Sequence, residues 1–129
     1  MTLETFPQQF QILKDSLIGP SNQLLYALIF VIIIDYITGV CVAIHNKKLS
    51  SKIGAKGIAR KISIFALIAL SHILDFYILE SADALKTLTI IFYLSNECMS
   101  VLENVGTLGL PLPKKLKDIL AHFDQYTKN

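Results

Sequence analysis

The side chains of this chain that could do chemistry are few and scattered. Its three histidines, His45, His72 and His122, fall in separate segments, so no HExxH pair or clustered metal site is present. Gly54 and Gly57 lack the strand–turn–helix setting that a phosphate-binding loop needs, and no GxSxG elbow occurs. Cys41 and Cys98 sit in apolar stretches without metal-type spacing and read as small buried side chains. Nothing here argues for an enzyme, and no cofactor or metal is implied. What stands out is acid in apolar surroundings: Asp35, Asp75 and Glu97. A charge at mid-bilayer costs about 2.5–3.5 kcal/mol on insertion scales, and such residues face protein or water.

The neighbours of these acids share their faces. Thr38 and Gly39 follow Asp35 by three and four positions, and Gly39 with Ala43 forms a small-xxx-small surface suited to another helix. His72 and Asp75 are three apart and can bond each other or a partner. Tyr93, Asn96, Ser100, Glu103 and Thr107 recur at steps of three and four, with Glu97 and Asn104 along the same edge. Lipid cannot satisfy such a stripe, so it must meet polar surface or water. Three thin helices offer little room to hide it, which predicts a homo-oligomer with a polar interior and this stripe as its pore-lining candidate.

These residues ride on long apolar segments. The chain is 53% hydrophobic, only 17% charged, and has a mean hydropathy of +0.53; ordinary soluble domains carry roughly 25% charged residues. Residues 24–44 hold a single charge across a length of ~31 Å, and residues 62–79 a single charge across ~27 Å, both matching a bilayer core. A third, less apolar run covers 85–105, with Lys86 able to snorkel at its edge. The sequence therefore predicts an all-α membrane protein of one domain with three transmembrane helices. Short amphipathic helices flank them. The segment 1–20 spaces Leu3, Phe6, Phe10, Leu13 and Leu17 by three and four, and the tail 111–129 does the same with Leu116, Ile119, Leu120 and Phe123. The N-terminus lacks the basic-then-apolar pattern of a secretory signal, so the apolar segments are expected to stay in the mature protein.

Charge orients the spans. The connecting segment 45–61 collects Lys47, Lys48, Lys52, Lys56, Arg60 and Lys61, and the tail is also lysine-rich. Basic segments prefer the cytoplasm, which predicts an N-out, C-in multi-pass membrane protein, with anionic lipid as a partner of the cations. The net charge of +2 gives no reason to expect nucleic acid.

The order "DYITGV", "NKKLSSKIGAKGIARKI", "NECMSVLENVGTLGLPLPKKL" resembles the phage-lysis and toxin-secretion holin family of Gram-positive bacteria and their phages. The likeness covers residues 35 to about 117 and rests on Asp35, Gly39, Ser51, Lys52, Gly57 and Lys61, then on Asn96, Glu97, Ser100, Glu103, Asn104, Gly109 and Pro113. The resemblance implies a small protein that oligomerises in the cytoplasmic membrane and opens large lesions, through which an endolysin or a secreted toxin leaves the cell. From the residues alone, two other readings stay open. One is a small-solute or ion transporter or channel subunit using Asp35 or Glu97 as its carboxylate. The other is a structural membrane subunit pairing its acids with a partner's cations.

The topology is testable by thiol labelling of intact cells on a Cys-free background. Thr5→Cys and Ala82→Cys should react with an impermeant reagent and Ser50→Cys should not. Labelling at position 50 reverses the orientation.

Overall fold

Side-chain caps set where the long helices begin. Asn22 accepts from the Leu25 N–H at 2.8 Å and opens α2 (Gln23–His45). Ser50 accepts from the Ile53 N–H at 3.2 Å and opens α3 (Ser51–Leu74). The basic segment 45–61, expected as a connecting loop, is thus a loop only as far as Ser50. From Ser51 onward it forms the first turns of α3, because the cap and the Ala- and Lys-containing sequence behind it favour helix before the apolar run starts. α3 passes into a π-helical turn, Asp75–Leu79, which stops where Glu80 turns left-handed at φ 47°. After a tight turn comes α4 (Ala84–Thr107), closed by Gly109 at φ 85°. At the ends lie α1 (Thr5–Leu17) and α5 (Lys114–Thr127). The computed structural model describes the backbone of residues 5–19 and 22–127. The expected anchors Leu3, Leu120 and Phe123 lie outside the residues and side chains it describes.

The chain is all-helical among the described residues. α2 and the continuous Ser51–Leu79 segment are long and apolar enough to cross a membrane. α4 is as long as α3, 24 residues, but carries Lys86, Glu97 and Glu103. α4 is the shared element of the bundle: it packs along α2 and against α3, while α2 and α3 barely touch each other.

The interior holds Leu25, Leu28 and Ile32 from α2, Ile64 and Ile68 from α3 and Ile90 from α4, with Tyr93 and Leu94 packed on its edge. Far more apolar bulk faces outward, including Phe30, Ile33, Ile37, Leu67, Leu70, Leu88 and Phe92. Among the described residues six buried aliphatic side chains form a small core for a chain of this length, and so broad an apolar perimeter is suited to lipid. Cys41 and Cys98, expected to be buried, are exposed on that perimeter. α1 buries none of its residues and leaves Phe6, Phe10, Leu13 and Leu17 open.

The α1–α2 turn is seated by a glycine. Gly19 has φ +83°, and a Cβ there would lie 2.8 Å from both the His72 ring and the Lys86 ammonium. Gly109 has φ +85° with nothing within 4 Å. Gly109→Ala should therefore cost only the ~1–2 kcal/mol of a left-handed L-residue, and Gly19→Ala clearly more. Thermal unfolding in detergent, followed by circular dichroism, measures the difference; equal losses would mean that the turn does not rest on His72 and Lys86.

Candidate functional site

Halfway along the bundle, one ammonium joins all three long helices. Lys61 of α3 donates to Asp35 Oδ2 of α2 at 2.6 Å and to Glu97 Oε2 of α4 at 2.7 Å. The three side chains are 16%, 11% and 12% exposed. Asp35 and Glu97 each sit ten residues from the last residue of their helices (His45 and Thr107), and Lys61 ten residues from the start of α3. That places the group ~15 Å from those helix ends. Asp35 is held a second time, since Asn104 Nδ2 donates to its Oδ1 and to Thr38 Oγ1, each at 3.0 Å. For Glu97, Lys61 is the side-chain partner. Two carboxylates thus share one ammonium, and the anchoring is stronger on α2 than on α4.

Lys61 departs from its expected role. Counted with the topology-setting cations of a surface loop, it instead reaches inward from α3. Lys47, Lys48, Lys52, Lys56 and Arg60 remain exposed. Asp35 and Glu97, expected to need a neighbouring subunit, find their counter-charge within the chain.

A second polar knot closes the opposite end. The N-cap of α4 is Asp83, left-handed and without a cap bond of its own. Asp75, at the end of α3, supplies one from a distance: its Oδ1 accepts from Leu85 N at 3.1 Å and its Oδ2 from Lys86 N at 2.7 Å, with Ser81 Oγ bonded to Oδ1 as well. Asp83 turns to His72, 3.1 Å from its Nδ1, and lies 3.8 Å from Lys86 Nζ. His72 and Asp75, expected as a mutual or inter-helix pair, therefore have separate partners in the hairpin. Lys86, expected to snorkel, is buried at 1% exposure beneath the α1–α2 turn.

Between α3 and α4 a cleft of about 490 Å³ opens beside the charged group, walled by Arg60, Lys61, Asn96, Glu97, Ser100 and Glu103. A narrower gap of about 240 Å³ separates α2 from α3 and is lined by Gly39, Ala43, Gly54 and Gly57. Gly39 and Ala43 border this gap, and Gly39 also lies beside Asn104 of α4. The polar stripe of α4 divides. Asn96, Glu97, Ser100 and Glu103 reach the cleft, Tyr93 packs on the apolar core, Asn104 binds α2, and Thr107 is exposed, bonding the Glu103 carbonyl. Sequence reasoning named Lys61 for topology and lipid contact and missed its interior role; the signal for that role was the Ser50 cap, which places position 61 well inside a helix.

The site sets two carboxylates around one ammonium beside an open cleft. Among the described residues no group of His, Cys, Asp and Glu is placed to hold a metal. Fold and site define a small chain, all-helical among its described residues, with two helices long and apolar enough to cross a membrane and a charged group between its long helices. The chain belongs to the bacteriophage holin family, whose model matches residues 13–125. It is 40% identical to an uncharacterised protein of Listeria monocytogenes over 84% of this chain and 76% of that protein. An uncharacterised 14.9 kDa protein of Clostridium perfringens is 38% identical over 78% of this chain and 76% of its own length. A probable holin of Bacillus phage phi105 is 34% identical over 68% of this chain and 64% of the phage protein. No solved structure matches the chain.

Breaking the group from its centre should be worst. Lys61→Met strands two carboxylates and is expected to destabilise by about 3–5 kcal/mol. Adding Asp35→Asn and Glu97→Gln to Lys61→Met should recover most of that loss. Asp35→Asn alone keeps an acceptor for Asn104 and should be tolerated better than Asp35→Leu. Detergent unfolding midpoints of the four variants decide, and a neutral Lys61→Met would remove the group from any structural role.

Proposed function

We propose that this protein is a holin that crosses the cytoplasmic membrane three times, N-out and C-in, and assembles into lesions wide enough to pass a folded endolysin or a large toxin. The observation that carries the reading is the charged cleft between α3 and α4, set at mid-height in a bundle whose other sides are apolar. Water stabilises such a surface at little cost, whereas lipid against its carboxylates would cost several kcal/mol. Copies that gather with their clefts toward a common centre satisfy one another's polar walls. Family membership and the likeness to a probable phage holin support the same role.

On this reading α4 is the third span, with Asn96, Glu97, Ser100 and Glu103 on the aqueous wall. Tyr93 and Asn104 hold the subunit together from the same helix. α1, with its open apolar face, lies on the outer membrane surface, and the exposed lysines near the other end contact anionic lipid.

Expression of the chain alone in a bacterial host tests the function. Abrupt growth arrest, collapse of the membrane potential and release of a cytoplasmic enzyme are expected; unperturbed growth at high membrane abundance would favour a transporter or structural subunit. Cysteine scanning from 95 to 105 after arrest adds the orientation. An impermeant thiol reagent should modify positions 96, 100 and 103 well above 101 and 102, and uniform protection would take α4 off the wall.

A further inference from the structure

The bonded Lys61 and Glu97 mark one height on α3 and α4, and they give a ruler for the charges left over. Lys56 precedes Lys61 by five residues, or ~7.5 Å, and Glu103 follows Glu97 by six, or ~9 Å, toward the same end of the bundle. The two therefore stand at nearly the same depth. At about 100° per residue, Lys56 points ~140° away from the inward direction of Lys61, and Glu103 points ~120° away from that of Glu97. Both are exposed, and among the described residues neither side chain has an ion-pair partner.

We propose that Lys56 of one copy pairs with Glu103 of the next copy in the same orientation, so that subunits join head to tail through an α3 edge and an α4 edge. The inference rests on the membrane assembly proposed above and names its contact. Lys56 is turned away from its own α4, which leaves its own Glu103 out of reach. Anionic lipid is the other occupant to weigh. It suits Lys52, which lies a turn nearer the helix start, but it repels Glu103. Glu103 stands ~6 Å inside the end of α4 at the rim of the cleft, exposed and without an ion-pair partner among the described residues, and a carboxylate at that depth gains from a cation. The matching depth of Lys56 supplies it when two copies stand side by side. Because the two surfaces differ, the contact repeats and does not close at a pair.

The test is charge reversal in membranes, read by cross-linking and independently of lysis. Lys56→Glu alone and Glu103→Lys alone should each lose the ladder of species above the monomer. Co-expressed, the two variants should regain it, because every contact in an alternating assembly again joins opposite charges. A cysteine pair, Lys56→Cys with Glu103→Cys on a background free of Cys41 and Cys98, should give disulfide-linked species beyond the dimer. It needs no reversed charge to fold. Persistence of the ladder in either single variant, failure of co-expression to restore it, or a disulfide product that stops at the dimer overturns the proposal. A full ladder without growth arrest leaves the contact standing and removes the lesion reading instead.

Discussion

An ammonium shared by two carboxylates, with apolar surface above and around it, constrains everything else in this bundle. Lys61 must lie within 2.6–2.7 Å of acids on two other helices, so the heights of α2, α3 and α4 are fixed against one another at that level. In lipid, helices gain nothing from hydrophobic segregation, and packing and polar contacts decide which surfaces meet. A buried ion pair is weak evidence for stability, but loss of one partner is expensive. Its value here is register: a slip of one turn in α3 carries Lys61 ~5.4 Å away from both acids. The same side chain explains why α2 and α3 stand apart. A lysine reaching across the gap, bordered by Gly39, Ala43, Gly54 and Gly57, keeps the two helices bridged rather than packed.

The other end of the bundle uses short polar links where the middle uses one long one. Asp75 caps α4 across the turn, Ser71 and Thr89 bond at 2.9 Å between α3 and α4, and His72 and Lys86 carry the α1–α2 turn. These contacts lock the α3–α4 hairpin close to its connection. The helices are bound tightly there and are separated by clefts below Lys61. The cleft walled by Arg60, Lys61, Glu97 and Glu103 therefore lies toward the helix ends that carry the basic residues, while a second polar-lined recess, bordered by Asp15, His72, Asp75, Glu80 and Asp83, lies at the hairpin end.

The sequence reading succeeded where length and hydropathy are decisive. The apolar run 24–44 became α2, and 62–79 became the apolar part of α3 with its π-helical turn, because a long apolar run with one charge has few alternatives. Asp35 and Glu97 were also legible as groups in need of a partner. The partner itself was not. Hydropathy changes at Ile62, eleven residues after the helix starts at Ser51, and this hid Lys61 among surface lysines. Asp75 could not be read as a cap because the N–H groups it accepts from, on Leu85 and Lys86, lie across a turn with three left-handed non-glycine residues. Periodicity placed Tyr93 through Thr107 on one edge of α4. It could not say that this edge faces the core at one end, α2 along one flank and a cleft between, since those surfaces come from other helices.

The charged residues of this chain sort by whether the subunit satisfies them, and the sorting follows what a holin must do before and after it assembles. Asp35, Lys61, Glu97, Asp75 and Lys86 are bonded or buried within one copy, so a newly inserted monomer keeps its register without neighbours. Lys56, Arg60 and Glu103 are left exposed, Arg60 and Glu103 on the cleft wall, with no ion-pair partner among the described residues. The first set stabilises the fold and is insensitive to protein density. On the proposed assembly the second set gains when another copy is near, and its contribution then grows with the amount of protein in the membrane. A design with every charge paired internally would give a stable but inert monomer, and one with Asp35 and Glu97 unpaired would resist insertion. On the proposed assembly, dividing the charges between the two tasks would let one copy hold its helices together alone and still favour its neighbours when crowded.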